Sequence, residues 1–248
     1  MKRFLNGLSM SMGMFSIIPP ISARWDETAL SLVIPFFPVV GAVIGGLWLG
    51  LSALLEFINT PDLLQSAALT LAPLLLSGFI HVDGCMDTSD AIFSRQSLEN
   101  KRKILKDPHI GAFGAAALAV LLLTSFCAVH TVTLQNRQYL GFLFIPIITR
   151  GVVGIGLINL RAISDTGFAA MFKGKARQAR SAVIIAECAL CVTAAYFLKV
   201  LPPVAAAAAA AAAALACAFK SLDGVSGDVC GFALAAGELA GLVAMAAA

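Results

Sequence analysis

Long runs of apolar residues alternate with short polar segments along this chain. The runs fall at residues 30–57, 63–80, 110–132, 140–160, 181–198, 205 to about 219, and 229–246. A hydrocarbon core about 30 Å thick is crossed by a helix of about 20 apolar residues, and helices satisfy their own backbone hydrogen bonds in lipid. The pattern therefore predicts an all-α, polytopic integral membrane protein with about seven transmembrane helices. Since no linker or repeat divides it, we expect residues 1–248 to form a single integral membrane domain.

Two of the apolar segments leave questions open. The run at 205–214 is entirely alanine, which is only mildly apolar, so a short buried helix competes there with a full span. Residues 1–20 begin with two basic residues and continue apolar, which favours a retained amphipathic or re-entrant segment. The first strong run contains FFPVVGAVIGG at residues 36–46, and its small residues predict close contact with another helix.

Composition supports a membrane protein, and the placement of charge predicts its orientation. The chain is 59% hydrophobic and 12% charged, whereas soluble domains carry about 25% charged residues. Of its 17 basic residues, 14 lie in the N-terminal region, in loops 95–106 and 161–180, or at Lys220. Cytoplasmic loops collect Lys and Arg, so we expect these segments on the cytoplasmic side. The basic residues lack the aromatic interleaving of nucleic-acid-binding proteins, and no such partner is predicted.

Three aspartates stand at positions i, i+4 and i+7 of the polar segment 80–114, namely Asp83, Asp87 and Asp90. In a helix they project within an arc of about 60° on one face. Carboxylates this close repel each other unless a cation compensates. Mg²⁺ prefers oxygen ligands, usually one or two carboxylates with substrate phosphates. If the second apolar run continues as a helix past residue 80, the spacing predicts a metal site; a solvated helix end is the alternative.

Further residues of this segment are expected near the metal. Gly84 leaves room for a ligand to approach the backbone, and Ser94 would add a hydroxyl near the aspartate face. Asp107 precedes Pro108, which favours an extended conformation, so it would enter from a loop as a fourth ligand or as the base. His81 points roughly opposite the aspartates, and both a direct role and a packing role are open for it.

Polar residues outside the segment are candidates for binding phosphate. Arg150 lies inside an apolar run, where such a residue normally faces a cavity or a partner. It either clamps a phosphate or pairs with Glu187 or Glu238. Ser226 and Asp228 stand at the start of the last run, where they serve either as ligands or as ordinary helix N-caps.

At these residues the chain resembles the cobalamin synthase family, the adenosylcobinamide-GDP ribazoletransferases. The resemblance rests on HVDGCMDTSDAIFS at residues 81–94 and KDPHIGAFG at 106–114. It extends to FPVVGAVIGG at 37–46, TRG at 149–151 and GVSGDVCGFALAAGE at 224–238. The chain departs from the family pattern at Ala235, where the family usually has Glu, and at Ser226, where it usually has Thr.

The resemblance implies a transferase for the last assembly step of vitamin B12. It implies that adenosylcobinamide-GDP and α-ribazole, or its 5′-phosphate, give adenosylcobalamin, or its phosphate, and GMP. It also implies Mg²⁺ as cofactor and a multi-pass location in the bacterial cytoplasmic (inner) membrane, with the site facing the cytoplasm. The catalytic residues would be Asp83, Asp87, Asp90 and Asp107, of which the first three hold the metal. The residues that bind substrate or phosphate would be His81, Gly84, Ser94, Arg150, Ser226 and Asp228. A homo-oligomer, or a complex with other cobalamin-assembly enzymes, is left open.

Two other functions compete with this prediction. CDP-alcohol phosphotransferases also carry aspartates at membrane-helix ends, but their Asp-Gly motif continues with Ala-Arg. Here Asp83-Gly84 is followed by Cys85-Met86-Asp87. A cation-coupled transporter would carry acidic groups near the bilayer midplane and paired broken helices. The aspartates lie instead at the end of an apolar run, which disfavours that function.

Overall fold

The computed structural model describes residues 2–20, 25–135, 139–174 and 176–248. The α-helices of this part of the chain are α1 (Lys2–Phe15), α2 (Leu30–Val33), α3 (Phe37–Phe57), α4 (Asp62–Leu76), α5 (Ile80–Phe93), α6 (Leu98–Ile104), α7 (Ala112–Leu134), α8 (Gly141–Asn159), α9 (Phe168–Met171), α10 (Arg177–Phe197), α11 (Leu201–Leu222) and α12 (Gly227–Ala247). A 3₁₀ turn at Glu27–Ala29 leads into α2. These elements confirm the all-α prediction.

Six of the described helices are long and apolar enough to cross a membrane, namely α3, α7, α8, α10, α11 and α12. The pair α4 and α5 forms a seventh candidate that bends by 86° at its break. The prediction of a multi-pass membrane protein with about seven crossings is therefore confirmed. The alanine run at 205–214 lies within α11, a helix of 22 residues, so the alternative of a short buried helix is wrong.

The small residues of α3 allow it to pack closely on α8. Gly41 lies against the backbone of Pro146, and a Cβ at Gly45 would lie 2.8 Å from the carbonyl oxygen of Phe142. Such close approach between helices is what small residues permit in a membrane, and the predicted contact is confirmed. The helix α8 also packs against α10, α11 and α12, which makes it the centre of the bundle.

The second apolar run ends earlier than the sequence pattern predicts. The N–H of Gly78 donates to the carbonyl of Leu75, and that of Phe79 to Leu74. These are the two bonds of a Schellman motif, which ends a helix at a residue with positive φ. Gly78 has φ 64° and Phe79 has φ 62°. A single helix continuing past residue 80 is therefore wrong, and α5 begins afresh in a new direction.

Polar connections meet at one end of the bundle, as the charge pattern predicts. Lys101 on α6 donates to Ser221 Oγ on α11 at 2.8 Å. Arg161, after α8, forms an ion pair with Asp223, after α11. Which side of a membrane this end faces stays a prediction. Of the basic residues in the count, Arg24, Arg137 and Lys175 lie outside the described residues.

Candidate active site

The three aspartates of α5 have different surroundings, although they share one helix. Asp83 is exposed, Asp87 is half-buried, and Asp90 is buried with 8% of its surface exposed. One oxygen of Asp90 accepts a hydrogen bond of 2.9 Å from the N–H of Gly111. Gly114 also lies against this carboxylate, where a Cβ would clash with it. Asp90 thus holds the start of α7, since a carboxylate is favourable at a helix N-terminus.

A fourth carboxylate, Asp228, lines the same cavity as Asp83 although it lies far away in the sequence. The helices α5 and α12 pack so closely that a Cβ at Gly84 would lie 2.7 Å from Asp228 Cα. On the next turn of α12, a Cβ at Gly231 would lie 2.9 Å from the carbonyl oxygen of His81. The space beside Gly84 is therefore filled by the backbone of α12 rather than by a ligand. This packing places Asp228 beside α5.

Ser226 caps α12 and orients Asp228. Its hydroxyl oxygen accepts a hydrogen bond of 3.2 Å from the N–H of Val229. The same hydroxyl donates to the Asp228 carboxylate at 3.2 Å. The sequence left a ligand and an N-cap as alternatives for Ser226, and the structure shows the N-cap. The cap leaves the Asp228 carboxylate at the edge of a cavity.

This cavity has a volume of about 440 Å³ and opens at the polar end of the bundle. Asp83, Asp228 and Ser226 form one part of its lining, and Arg102 and Lys106 form another. Two carboxylates and two basic groups therefore share one space. The remainder of the lining is mostly apolar and comes from α1, α3, α5, α8, α9 and α12, from Leu105 after α6, and from the segment between α8 and α9.

Hydrogen bonds that Arg102 donates to carbonyl groups at the α11–α12 turn fix its side chain in the cavity lining. Its guanidinium donates to the carbonyls of Leu222 and Asp223, each at 3.0 Å. It also approaches the Asp223 carboxylate at 3.5 Å. Sequence reasoning did not select Arg102 or Lys106, because the bias of basic residues toward the cytoplasm already explained them. Helical periodicity gave no signal that links them, because Lys106 lies beyond the end of α6.

The segment after α8 forms another wall of the cavity and is tied to the same turn. Val225 N–H donates to the carbonyl of Arg161 at 2.9 Å, and Ile163 N–H donates to the carbonyl of Val225 at 3.0 Å. Gly224 has φ 158°, and a Cβ there would lie 2.8 Å from Ile163 N. Only glycine fits this close contact without strain. The motif GVSGD therefore holds a neighbouring wall in place as well as starting α12.

Of the other predicted site residues, only His81 lines the cavity; those outside its lining are Gly84, Asp87, Asp90, Ser94, Asp107 and Arg150. Arg150, 1% exposed, forms an ion pair of 2.8 Å with Glu238 inside the bundle, which selects one of the predicted partners. Ser94 donates to the carbonyl of Ala91 at 2.8 Å and lines a different, largely apolar groove. His81 does line the cavity, with its ring 6.3 Å from that of Phe37.

Asp107 and its neighbour His109 lie on an exposed loop. The carboxylate of Asp107 accepts hydrogen bonds from the ring and from the backbone N–H of His109, at 2.6 and 3.0 Å. These hydrogen bonds, the one from the ring above all, lower the pKa of Asp107 below its usual value. A carboxylate with a lowered pKa is a weaker base. Asp107 lies outside the cavity lining in this structure, and its predicted role stays a prediction.

The donor atoms of the cavity suit a hard cation that is held together with substrate. Among the described residues, no three His, Cys, Asp or Glu side chains lie close enough to hold a metal ion by themselves. Mg²⁺ usually binds through one or two carboxylates plus substrate phosphates. Asp83 and Asp228 supply two carboxylates in one cavity, so the residues fit an ion that binds jointly with a phosphate group.

Comparison with known proteins matches nearly the whole chain to one family. The family model for cobalamin-5-phosphate synthase matches residues 7–246. An adenosylcobinamide-GDP ribazoletransferase of Clostridium botulinum is 34% identical over 98% of this chain and 97% of its own length. Enzymes of that name from Clostridium perfringens (31% identical, 98% of each chain) and Lachnoclostridium phytofermentans (33%, 99% of this chain and 95% of its own) are also similar. No solved structure matches the chain.

Proposed function

The chain belongs to the cobalamin-5-phosphate synthase family, and we propose that it joins adenosylcobinamide-GDP to α-ribazole or its 5′-phosphate and releases GMP. The family match covers residues 7–246, and similar proteins over the full length carry the name of this transferase. The reaction forms a bond between a ribazole oxygen and the phosphorus attached to cobinamide. It breaks the bond from that phosphorus to the bridging oxygen, which leaves with GMP.

The observation that carries this proposal is the pairing of opposite charges in one cavity. A pyrophosphate carries several negative charges, and more charge collects on the leaving phosphate as the bond breaks. Arg102 and Lys106 line the cavity that Asp83 and Asp228 also line. The basic groups bind the phosphate oxygens directly. The two carboxylates are then free to hold a cation and to accept a proton.

We propose Mg²⁺ as the cofactor, with Asp83 and Asp228 as its ligands. When bound, Mg²⁺ supplies charge neutralisation at the phosphate oxygens. Asp87 is half-buried on the turn of α5 after Asp83, and it stays a candidate for a ligand or for the base that accepts the ribazole proton. Asp90 contributes through its hold on Gly111, because that contact fixes α7 against α5.

We further propose that the cavity opens to the cytoplasm from the bacterial inner membrane. The distribution of basic residues supports this orientation, because Arg102, Lys106 and Arg161 all lie at the cavity end of the bundle. Cytoplasmic segments of membrane proteins are rich in such residues. A water-soluble nucleotide substrate reaches the site directly in this orientation.

The test is a turnover assay on membranes that contain the protein. With adenosylcobinamide-GDP, α-ribazole and Mg²⁺, the product corrinoid and GMP should form in equal amounts, and a chelator should abolish both. Asp83→Asn and Asp228→Asn should each lower turnover by about 10²-fold or more, as removal of a charged catalytic group commonly does. Asp62→Asn is the matched control, because Asp62 is exposed at the start of α4 and lies outside the cavity lining. Undiminished turnover in both site variants, at equal membrane content, would refute the proposed site.

A further inference from the structure

Three aromatic side chains from distant parts of the sequence form one wall of the cavity, called here the aromatic wall: Phe15, Phe37 and Phe168. The ring centroids of Phe15 and Phe37 are 4.3 Å apart. The ring of Phe168 meets that of Phe15 edge to face, at 5.9 Å and 87°. The edge-to-face contact between Phe168 and Phe15 is a favourable arrangement for aromatic rings. Since Phe15 and Phe37 are almost fully buried, the half-buried ring of Phe168 is the part of the wall that another flat ring can contact.

The aromatic wall adjoins the carboxylate side of the cavity. A Cβ at Gly227 would lie 3.4 Å from Phe168 Cδ1, and Gly227 stands between Ser226 and Asp228 in the sequence. Phe15 and Phe37 are 5% and 2% exposed, whereas Phe168 is half-buried on the segment after α8. A ring bound against this wall would therefore carry its attached sugar toward Asp228.

We infer that the aromatic wall binds the benzimidazole base of the ribazole substrate, an inference that rests on the proposed function. The lining next to the wall is apolar, with Met14, Leu157 and Leu234. A dimethylated benzimidazole presents an almost entirely apolar ring to such a surface. Burial of its faces against aromatic side chains is favourable without any further polar partner.

Guanine, the other flat base among the substrates, does not suit this surface. Its edge carries an amide and an amino group, and a polar group buried without a hydrogen bond is strongly disfavoured. The rings of the wall and the neighbouring Met14, Leu157 and Leu234 carry no donors or acceptors, and His81, with its ring 6.3 Å from that of Phe37, adds only one imidazole, which is too little for the polar edge of guanine. The polar lining lies instead with Ser164, Thr166, Arg102 and Lys106. The guanosine part belongs on that side.

The size of the cavity agrees with a nucleoside as its occupant. Pockets for small organic ligands span about 300 to 1,000 Å³, and this cavity, at about 440 Å³, is in the lower part of that range. A nucleoside and the reacting phosphates fill such a volume. The corrin ring system is much larger than either, so it stays at the open end of the cavity.

The experiment measures substrate binding and turnover in a variant of the most accessible wall residue. Phe168→Leu keeps an apolar side chain but removes the ring face. We expect the Kd and the KM for α-ribazole to rise about five- to tenfold, since an aromatic contact contributes about that factor. The KM for adenosylcobinamide-GDP and kcat should stay within about twofold of the parent. Phe168→Tyr should restore the parent KM, and Phe197→Leu is the matched control, because Phe197 is 75% exposed on α10.

Other changes in these constants would contradict the inference that the wall binds the benzimidazole base. If Phe168→Leu raises the KM for adenosylcobinamide-GDP instead, guanine occupies the wall and the inference is wrong. If neither KM changes, or if Phe168→Tyr fails to restore a raised KM, the wall does not bind a base. Direct titration of purified protein with α-ribazole needs no turnover. If the wild-type protein binds α-ribazole more tightly than Phe168→Leu does and yet forms no product, that result contradicts the proposed function and leaves the subsite supported.

Discussion

Replacement of Gly84 by alanine tests whether the contact between α5 and α12 assembles the carboxylates. The new methyl carbon would lie 2.7 Å from Asp228 Cα and 2.8 Å from its carbonyl oxygen. Both atoms are backbone, so no side-chain rotation relieves the clash. Ordinary contacts of a Cβ begin at 3.4 Å, and the two helices must therefore separate by about 0.7 Å, taken as the difference from 2.7 Å.

The expected result is a large loss of activity with a moderate loss of stability. A misplacement of about 1 Å in a catalytic site costs about 10²-fold in rate, and an extra methyl in a packed core destabilises by about 1–3 kcal/mol. We therefore expect kcat/KM of Gly84→Ala to fall about 10²-fold, with the protein still inserted in the membrane. Turnover assays and thermal unfolding in detergent measure the two effects separately.

Gly46→Ala is the matched control for this variant. A Cβ at Gly46 would have nothing within 4 Å, and alanine favours a helix over glycine by about 1 kcal/mol. The control should keep full activity and equal or greater stability. If Gly84→Ala retains turnover within about threefold of the parent, the close packing of α5 on α12 is not what places Asp83 beside Asp228, and the reasoning fails.

Three further predictions concern the residues outside the cavity. Asp107→Asn should keep turnover within about threefold of the parent around neutral pH, because its lowered pKa and exposed position make it a poor base; a loss of about 10²-fold, typical for a removed base, would contradict this. Glu238→Ala should destabilise the protein in thermal unfolding by about 3–5 kcal/mol, because it leaves Arg150 buried without its charged partner; Arg150→Met with Glu238→Leu should recover most of that loss, and failure to recover it would contradict the pairing. Cysteines introduced at Ser97 and Gln135 should react with impermeant reagents from opposite sides of the membrane, and labelling from one side would overturn the topology.

The sequence predicts the helices of this protein better than their ends. Apolar runs of about 20 residues are unambiguous in a chain this hydrophobic, and those that became α7, α8 and α12 shifted by only a few residues. Gly78 marks the break before α5. Because glycine is common in membrane helices, a single glycine does not distinguish a break from a continuous helix. The short helix α6 lies in a polar loop, where hydrophobic periodicity carries no information.

The carboxylate part of the site could be inferred because two simple patterns point to it. The i, i+4, i+7 spacing selected Asp83 together with Asp87 and Asp90, of which only Asp83 lines the cavity, and the motif before the last span selected Asp228. The different environment of Asp90 depends on the N–H of Gly111, a long-range contact that helix periodicity does not contain. The sequence left Glu187 and Glu238 as possible ion-pair partners of Arg150. The packing of α8 on α12 brings Glu238 to Arg150.

The basic and aromatic parts of the cavity were not predicted. Arg102 is held by carbonyl groups of the α11–α12 turn, about 120 residues away in sequence. Phe15 and Phe168 are separated by more than 150 residues and meet only in the folded chain. Apolar residues in a membrane protein are expected everywhere, so their identity gives no indication of which ones face a cavity.

The cavity takes its walls from segments that lie far apart in the sequence, and this has a consequence for biogenesis. Met14 and Phe15 are translated long before Ser226 and Asp228, which lie at the start of α12. Chains are synthesised at about 5–20 residues per second, with N-terminal parts structured first. The earlier helices are therefore inserted in the bilayer before the cavity lining is complete. Arg102 lacks its carbonyl acceptors until α11 and the turn after it have been synthesised. A chain stalled before residue 228 lacks Asp228 and should therefore not retain the substrate that this cavity is proposed to bind.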